Sequence, residues 1–108
     1  MTITQADLNA LSVAHPNLSA SGYGSSAFAP KPVLLDEVQA AYAWIAEQTW
    51  LTVSAESSSY GLKHAMERVT GMYVTNGAFI AAALLHAPAG LEVKLDDLNP
   101  AIGIKVEG

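Results

Sequence analysis

One stretch limits the fold of this chain more than any other. Ala78-Phe79-Ile80-Ala81-Ala82-Ala83-Leu84-Leu85 is the longest unbroken apolar run. At eight residues it falls far short of the ~20 needed to cross a bilayer. Thr75-Asn76 in front of it can cap a helix, and Pro88 behind it cannot continue one. A helix over residues 76–87 is therefore apolar almost all round, and such a helix has to be covered on every side. The expectation is a mostly α fold of about four helices packed around this central one, whose alanines let neighbours approach closely.

The other elements follow from period and punctuation. Thr4 caps a first helix that runs to about Val13 and stops before His15-Pro16. Residues 34–49 carry Leu34, Leu35, Val38, Ala41, Tyr42 and Ile45 at three- and four-residue steps, which predicts a second helix with one apolar stripe. Asp36 and Glu37 fall in its first turn, where the helix dipole favours negative charge. A third helix is predicted over residues 60–70, with Ser57-Ser58-Ser59 before it and Gly71 as its C-cap. Its apolar side is Leu62, Ala65, Met66 and Val69; Tyr60, Lys63, His64 and Glu67 oppose them. Beyond residue 90 the period changes to two. Leu91, Val93 and Leu95 alternate with polar residues, as do Ile102, Ile104 and Val106 with Gly103 and Lys105, which predicts a β-hairpin over residues 91–106. Residues 16–32 are rich in Ser, Gly, Ala and Pro and read as a mobile loop. At 108 residues the chain suits a single domain.

The residue types exclude much chemistry. Cys is absent, which rules out thiolate metal sites, disulfides and cysteine catalysis. His15, His64 and His86 form no i, i+3 or i, i+4 pair of the kind that holds a metal on a helix. His86, at a helix C-terminus, is expected to meet the free carbonyls there. Gly22-Tyr23-Gly24-Ser25-Ser26-Ala27 matches a dinucleotide pattern in letters, but no strand precedes it and Pro-rich sequence follows. No serine stands in a nucleophile-elbow motif. The expectation is a protein without enzymatic activity, cofactor or metal. A helix-turn-helix over residues 60–87 would need a reading helix with donors along it, and this one offers only Asn76 and His86 at its ends. Ten acids against five bases, a net charge of −5, also oppose direct nucleic-acid binding. The first ten residues lack Lys, Arg and an apolar core, so a secretory signal is not expected and a cytoplasmic location is.

What remains is a binding protein. Trp44 lies at the flank of the second helix's stripe, on the side of Glu37, and is a candidate anchor because tryptophans dominate many interfaces. Glu37 and Glu47 surround it as candidate charge contacts. Tyr60 and His64, one turn apart on a polar face, complete the candidate partner-binding set. Ser58-Ser59-Tyr60-Gly61-Leu62-Lys63-His64, followed by Glu67 and then by Tyr73-Val74-Thr75-Asn76-Gly77-Ala78-Phe79-Ile80-Ala81-Ala82-Ala83, resembles a segment of small uncharacterised proteins of proteobacterial phages and mobile elements. The resemblance covers residues 58–83. It implies an accessory protein of a phage, acting in the host cell as an anti-defence, anti-CRISPR-type inhibitor of a protein complex that handles nucleic acid. The alternatives are a helix-turn-helix-like nucleic-acid-binding regulator and an assembly factor that forms a homodimer through the Trp44 flank.

Overall fold

The computed structural model describes residues 2–24, 31–51, 58–95 and 98–105. In chain order these form α1 (Gln5–Ala14), β1 (Leu18–Ser19), β2 (Gly22–Tyr23), α2 (Leu35–Ala46), α3 (Ser59–Thr70), α4 (Asn76–His86), a single 3₁₀ turn (Ala87–Ala89), β3 (Val93–Lys94) and β4 (Ala101–Ile102). Both strand pairs are antiparallel, with Leu18 opposite Tyr23 and Val93 opposite Ile102. The protein is thus mostly α with a small β part.

Helix α4 sits at the centre for the reason its composition gives. Every residue of it except Leu84 and Leu85 is buried. Its most extensive partner is α2, which presents Val38, Ala41 and Ile45, all fully buried. Leu62 and Met66 of α3, Leu8 of α1, and Ile102 and Ile104 from the tail close the core. The capping residues act as such: the Thr75 hydroxyl accepts from the Ala78 amide at 3.3 Å, and Thr4 and Asp7 form a reciprocal box at the start of α1.

Asn76, the first residue of α4, is buried and joins three parts of the chain. Its Oδ1 accepts from the Ser59 hydroxyl at 2.8 Å. Its Nδ2 donates to Asn99 Oδ1 at 2.6 Å and faces the Ser21 and Leu98 carbonyls at 3.3 and 3.4 Å. Gly77, next along, lets the β1–β2 turn press against the helix, its amide donating to Ala20 O at 3.0 Å. A Cβ at Gly77 would overlap the Ser19 carbonyl oxygen.

The structure corrects several expectations. Within residues 16–32 the chain forms β1 and β2, packed on α4; residues 25–30 lie outside the described residues. Helix α2 ends at Ala46 and not at residue 49, because side chains claim its last carbonyls: Gln48 Nε2 donates to Trp44 O and Trp50 Nε1 to Ile45 O. Val69, expected on the buried stripe, is exposed, whereas Lys63, expected on the polar side, is buried. The tail pairs on two sides. Gly103 donates to Glu92 O and accepts from the Leu51 amide, and Trp50 and Ser58 bridge Ile104 and Ala101. A Cβ at Gly103 would overlap Leu51 O, so this close pairing needs glycine. Val106 of the expected hairpin lies outside the described residues. His86, expected to meet the free carbonyls of its own helix, donates through Nε2 to Tyr42 O of α2 at 2.9 Å and stacks on the Tyr42 ring at 3.7 Å.

Candidate interaction face on α3

Helix α3 presents one side outward. Ser58 caps it, accepting from the Gly61 amide, and Gly71 ends it in the left-handed conformation that glycine tolerates, at φ 72°. That reversal sends Met72–Thr75 back along the helix, with Met72 N donating to the Thr70 hydroxyl. Val74 N is thereby brought to Glu67 Oε2 at 3.2 Å.

The same reversal buries Lys63. Its ammonium lies 3.2 Å from Glu67 Oε2, 5.4 Å from the Tyr60 ring centre and 5.0 Å from the Tyr73 ring centre. Both ring distances fall within the ~6 Å range of cation–π attraction. His64 Nδ1 lies 3.1 Å from the other oxygen of Glu67, and the His64 ring meets Tyr60 edge-on at 4.4 Å. Burial works against the charge of Glu67, but the Val74 amide, Lys63 and His64 together hold its carboxyl below the ordinary value of 4.5. Ammonium and carboxylate thus neutralise one another beneath two tyrosine rings. The outward surface over this pair is aromatic, with Tyr60 51% and Tyr73 69% exposed, and polar beside it, where His64 and Arg68 reach solvent.

Of the residues singled out in the sequence, Tyr60 and His64 come together on this face. Glu37 reaches the same segment from the other side, its Oε1 accepting from the Thr75 amide at 2.9 Å. Two carboxylates, Glu67 and Glu37, therefore hold the consecutive amides of Val74 and Thr75 that lead into α4. Trp44 stands about two turns further along α2, half-buried, its ring 5.9 Å from that of Phe79. Glu47 is exposed at the C-cap of α2. The sequence patterns do not single out Lys63, Glu67, Met72 or Tyr73 for the site. The available signal is the i, i+4 spacing of Lys63 and Glu67, which places opposite charges on one helix face. Nothing local announces that Tyr73 folds back over them.

Among the described residues no three His, Asp or Glu side chains are grouped so as to hold a metal ion, and no helix is long and apolar enough to cross a membrane. No protein-family profile, no curated protein and no solved structure matches the chain.

Proposed function

We propose that the chain is a non-enzymatic binding protein that works by covering the surface of a partner protein with the outer face of α3 and the turn after it. The observation that carries this is the pair Tyr60 and Tyr73, both more than half exposed and held about one lysine ammonium. Tyrosines are enriched among the residues that dominate binding energy, and they lose little conformational freedom when they bind. Here the Lys63–Glu67 pair and the His64 edge limit them further, so less ordering remains to oppose association. The reader that a helix-turn-helix regulator would need, α4, has Asn76 and His86 both buried and bonded internally.

The finer reading makes the partner a complex of a host cell that handles nucleic acid, inhibited by a phage accessory protein. It rests on the resemblance of residues 58–83. Capture of partners from a bacterial lysate, with and without nuclease, tests both levels. We expect a protein that survives nuclease treatment and is lost with the Tyr60→Ala/Tyr73→Ala variant, whose folding is checked by circular dichroism. Recovery of nucleic acid alone, with no protein retained after nuclease, would overturn the proposal.

A further inference from the structure

The polar half of the α3 face carries a charge pattern of its own. Tyr60, His64 and Arg68 follow one another at four-residue steps, so they form one line along α3, with neighbours about 6 Å apart along the axis. Tyr73 stands beside this line, over Lys63. Glu67 is the one acid on α3, and it is already shared among Lys63, His64 and the Val74 amide. Lys63 is committed in the same way, its side chain 6% exposed and 3.2 Å from Glu67. Arg68 is exposed and, among the described residues, makes no ion pair. The uncommitted charge of this face is therefore positive, in a chain of net charge −5.

His64 adds to that charge when it is protonated. The Glu67 carboxyl is held below its ordinary value and is ionised at neutral pH, and a carboxylate only accepts. The His64 Nδ1 that lies 3.1 Å from it therefore carries the ring proton. In the neutral ring Nε2, on the opposite edge of a side chain that is 42% exposed, is an acceptor. A second proton turns it into a donor and the ring into a cation. Among the described residues, the titratable and charged groups around the ring are Tyr60, Lys63, Glu67 and Arg68 on α3 and Tyr73 on the turn after it. Glu37, from α2, is occupied by the Thr75 amide.

We propose that the α3 face takes an acidic peptide segment of its partner, with a carboxylate seated between His64 and Arg68 and an adjoining apolar side chain against the rings of Tyr60 and Tyr73. This deepens the reading of the face as a protein-binding surface and rests on it. The guanidinium and the two phenol hydroxyls all donate to such a group. A nucleic-acid strand also offers anions and stacking bases, but its phosphates continue past the face, where the chain's nine other acids repel them. The carboxylate is a local contact, and it leaves the acidic body to meet basic surface around the segment.

The full chain is titrated by amide NMR at low ionic strength with three end-blocked pentapeptides, Gly-Glu-Leu-Glu-Gly, Gly-Gln-Leu-Gln-Gly and Gly-Lys-Leu-Lys-Gly, and with a thymidine pentanucleotide. We expect saturable shifts centred on Tyr60, His64, Arg68 and Tyr73 with the acidic peptide. The glutamine peptide should bind at least fivefold more weakly and the lysine peptide not at all. From about pH 7.5 to about pH 5.5, where imidazoles gain charge and glutamates keep theirs, the acidic peptide should tighten at least threefold. His64→Gln should abolish that pH effect. Arg68→Gln should weaken the acidic peptide at least threefold at both pH values, with a melting temperature close to the parent's. No saturable shift with the acidic peptide, equal binding by Arg68→Gln, or a pH effect that survives His64→Gln would each overturn the proposal. So would a lysine peptide or pentanucleotide bound as tightly as the acidic peptide. A protein captured from lysate and held equally well by Arg68→Gln would overturn the carboxylate contact and leave the proposed function standing. Acidic-peptide binding at α3 with no protein captured would support the chemistry of the face and overturn the proposed function.

Discussion

Glu67 serves three groups with one carboxylate: the Lys63 ammonium, the His64 ring and the Val74 amide. Burial opposes its ionised form, but all three partners favour it and together outweigh the burial. Its folded pKa is therefore depressed, so its contribution to stability is present above the ordinary value of 4.5 and is lost as pH falls through the lower folded value. Glu67→Gln should flatten this acid limb in denaturant titrations run from pH 6 to pH 3. The variant should also lose roughly 3 kcal/mol at neutral pH, because Lys63 would be left buried beside an uncharged amide. Glycine gives a second comparison at this scale. Gly61, inside α3, has only Ser58 Oγ near the place a Cβ would take, at 3.6 Å, so Gly61→Ala should stabilise by about 0.5–1 kcal/mol. A Cβ at Gly77 in α4 would collide with the Ser19 carbonyl, and backbone cannot swing aside as a side chain does. Gly77→Ala should destabilise by at least the ~1–3 kcal/mol typical of overpacking. Thermal melts of the two variants should move in opposite directions, and a Gly77→Ala variant as stable as the parent would refute the close approach at Gly77.

At the scale of elements, the packing of α4 between α2, α3 and the β1–β2 pair decides the stability of the fold. Phe79 is fully buried against Trp44, so Phe79→Ala should cost about 3–5 kcal/mol in urea unfolding. Val69→Ala, on an exposed turn of α3, should stay within about 0.5 kcal/mol of the parent. The two residues look alike in sequence, each an apolar side chain on an apolar stripe, and only tertiary position separates them. The helices themselves are legible because period and capping are local: Thr4, Ser58, Thr75 and Gly71 all act where their types predict. The apolar pattern of α2 runs past Ala46 and overshoots the helix, because the terminator is a pair of side chains, Gln48 and Trp50, turning back on it. The β1–β2 pair is not legible, since Leu18–Ser19 and Gly22–Tyr23 are too short to show a period and depend on α4 for support. The candidate face is half legible. Tyr60 and His64 share a helix side by spacing, but Tyr73 joins them only through the left-handed turn at Gly71, which brings its ring to 5.0 Å from the Lys63 ammonium.

Across the whole molecule, most of the negative charge lies away from the helix that carries the aromatic face. Of five bases, α3 carries Lys63 and Arg68, against Glu67 alone among the acids, and the other nine acids lie elsewhere in the chain. Binding by the α3 face should then divide into two kinetic parts. Long-range attraction between the acidic body and a basic partner sets the association rate, and it weakens with salt. Close contact by Tyr60 and Tyr73 sets the dissociation rate. Glu47 allows the first part to be changed without harming the fold. It is exposed at the C-terminus of α2, where a cation is favoured by the helix dipole, so Glu47→Lys should hold or slightly raise stability. With the captured partner immobilised, Glu47→Lys should lower the association rate at low salt, leave dissociation unchanged, and lose its effect as salt rises. Tyr73→Ala should instead speed dissociation, costing about 2 kcal/mol or more, at any salt concentration. A partner with an acidic surface would reverse the first result, with Glu47→Lys associating faster, and would show that the body of the molecule opposes the encounter its α3 face completes.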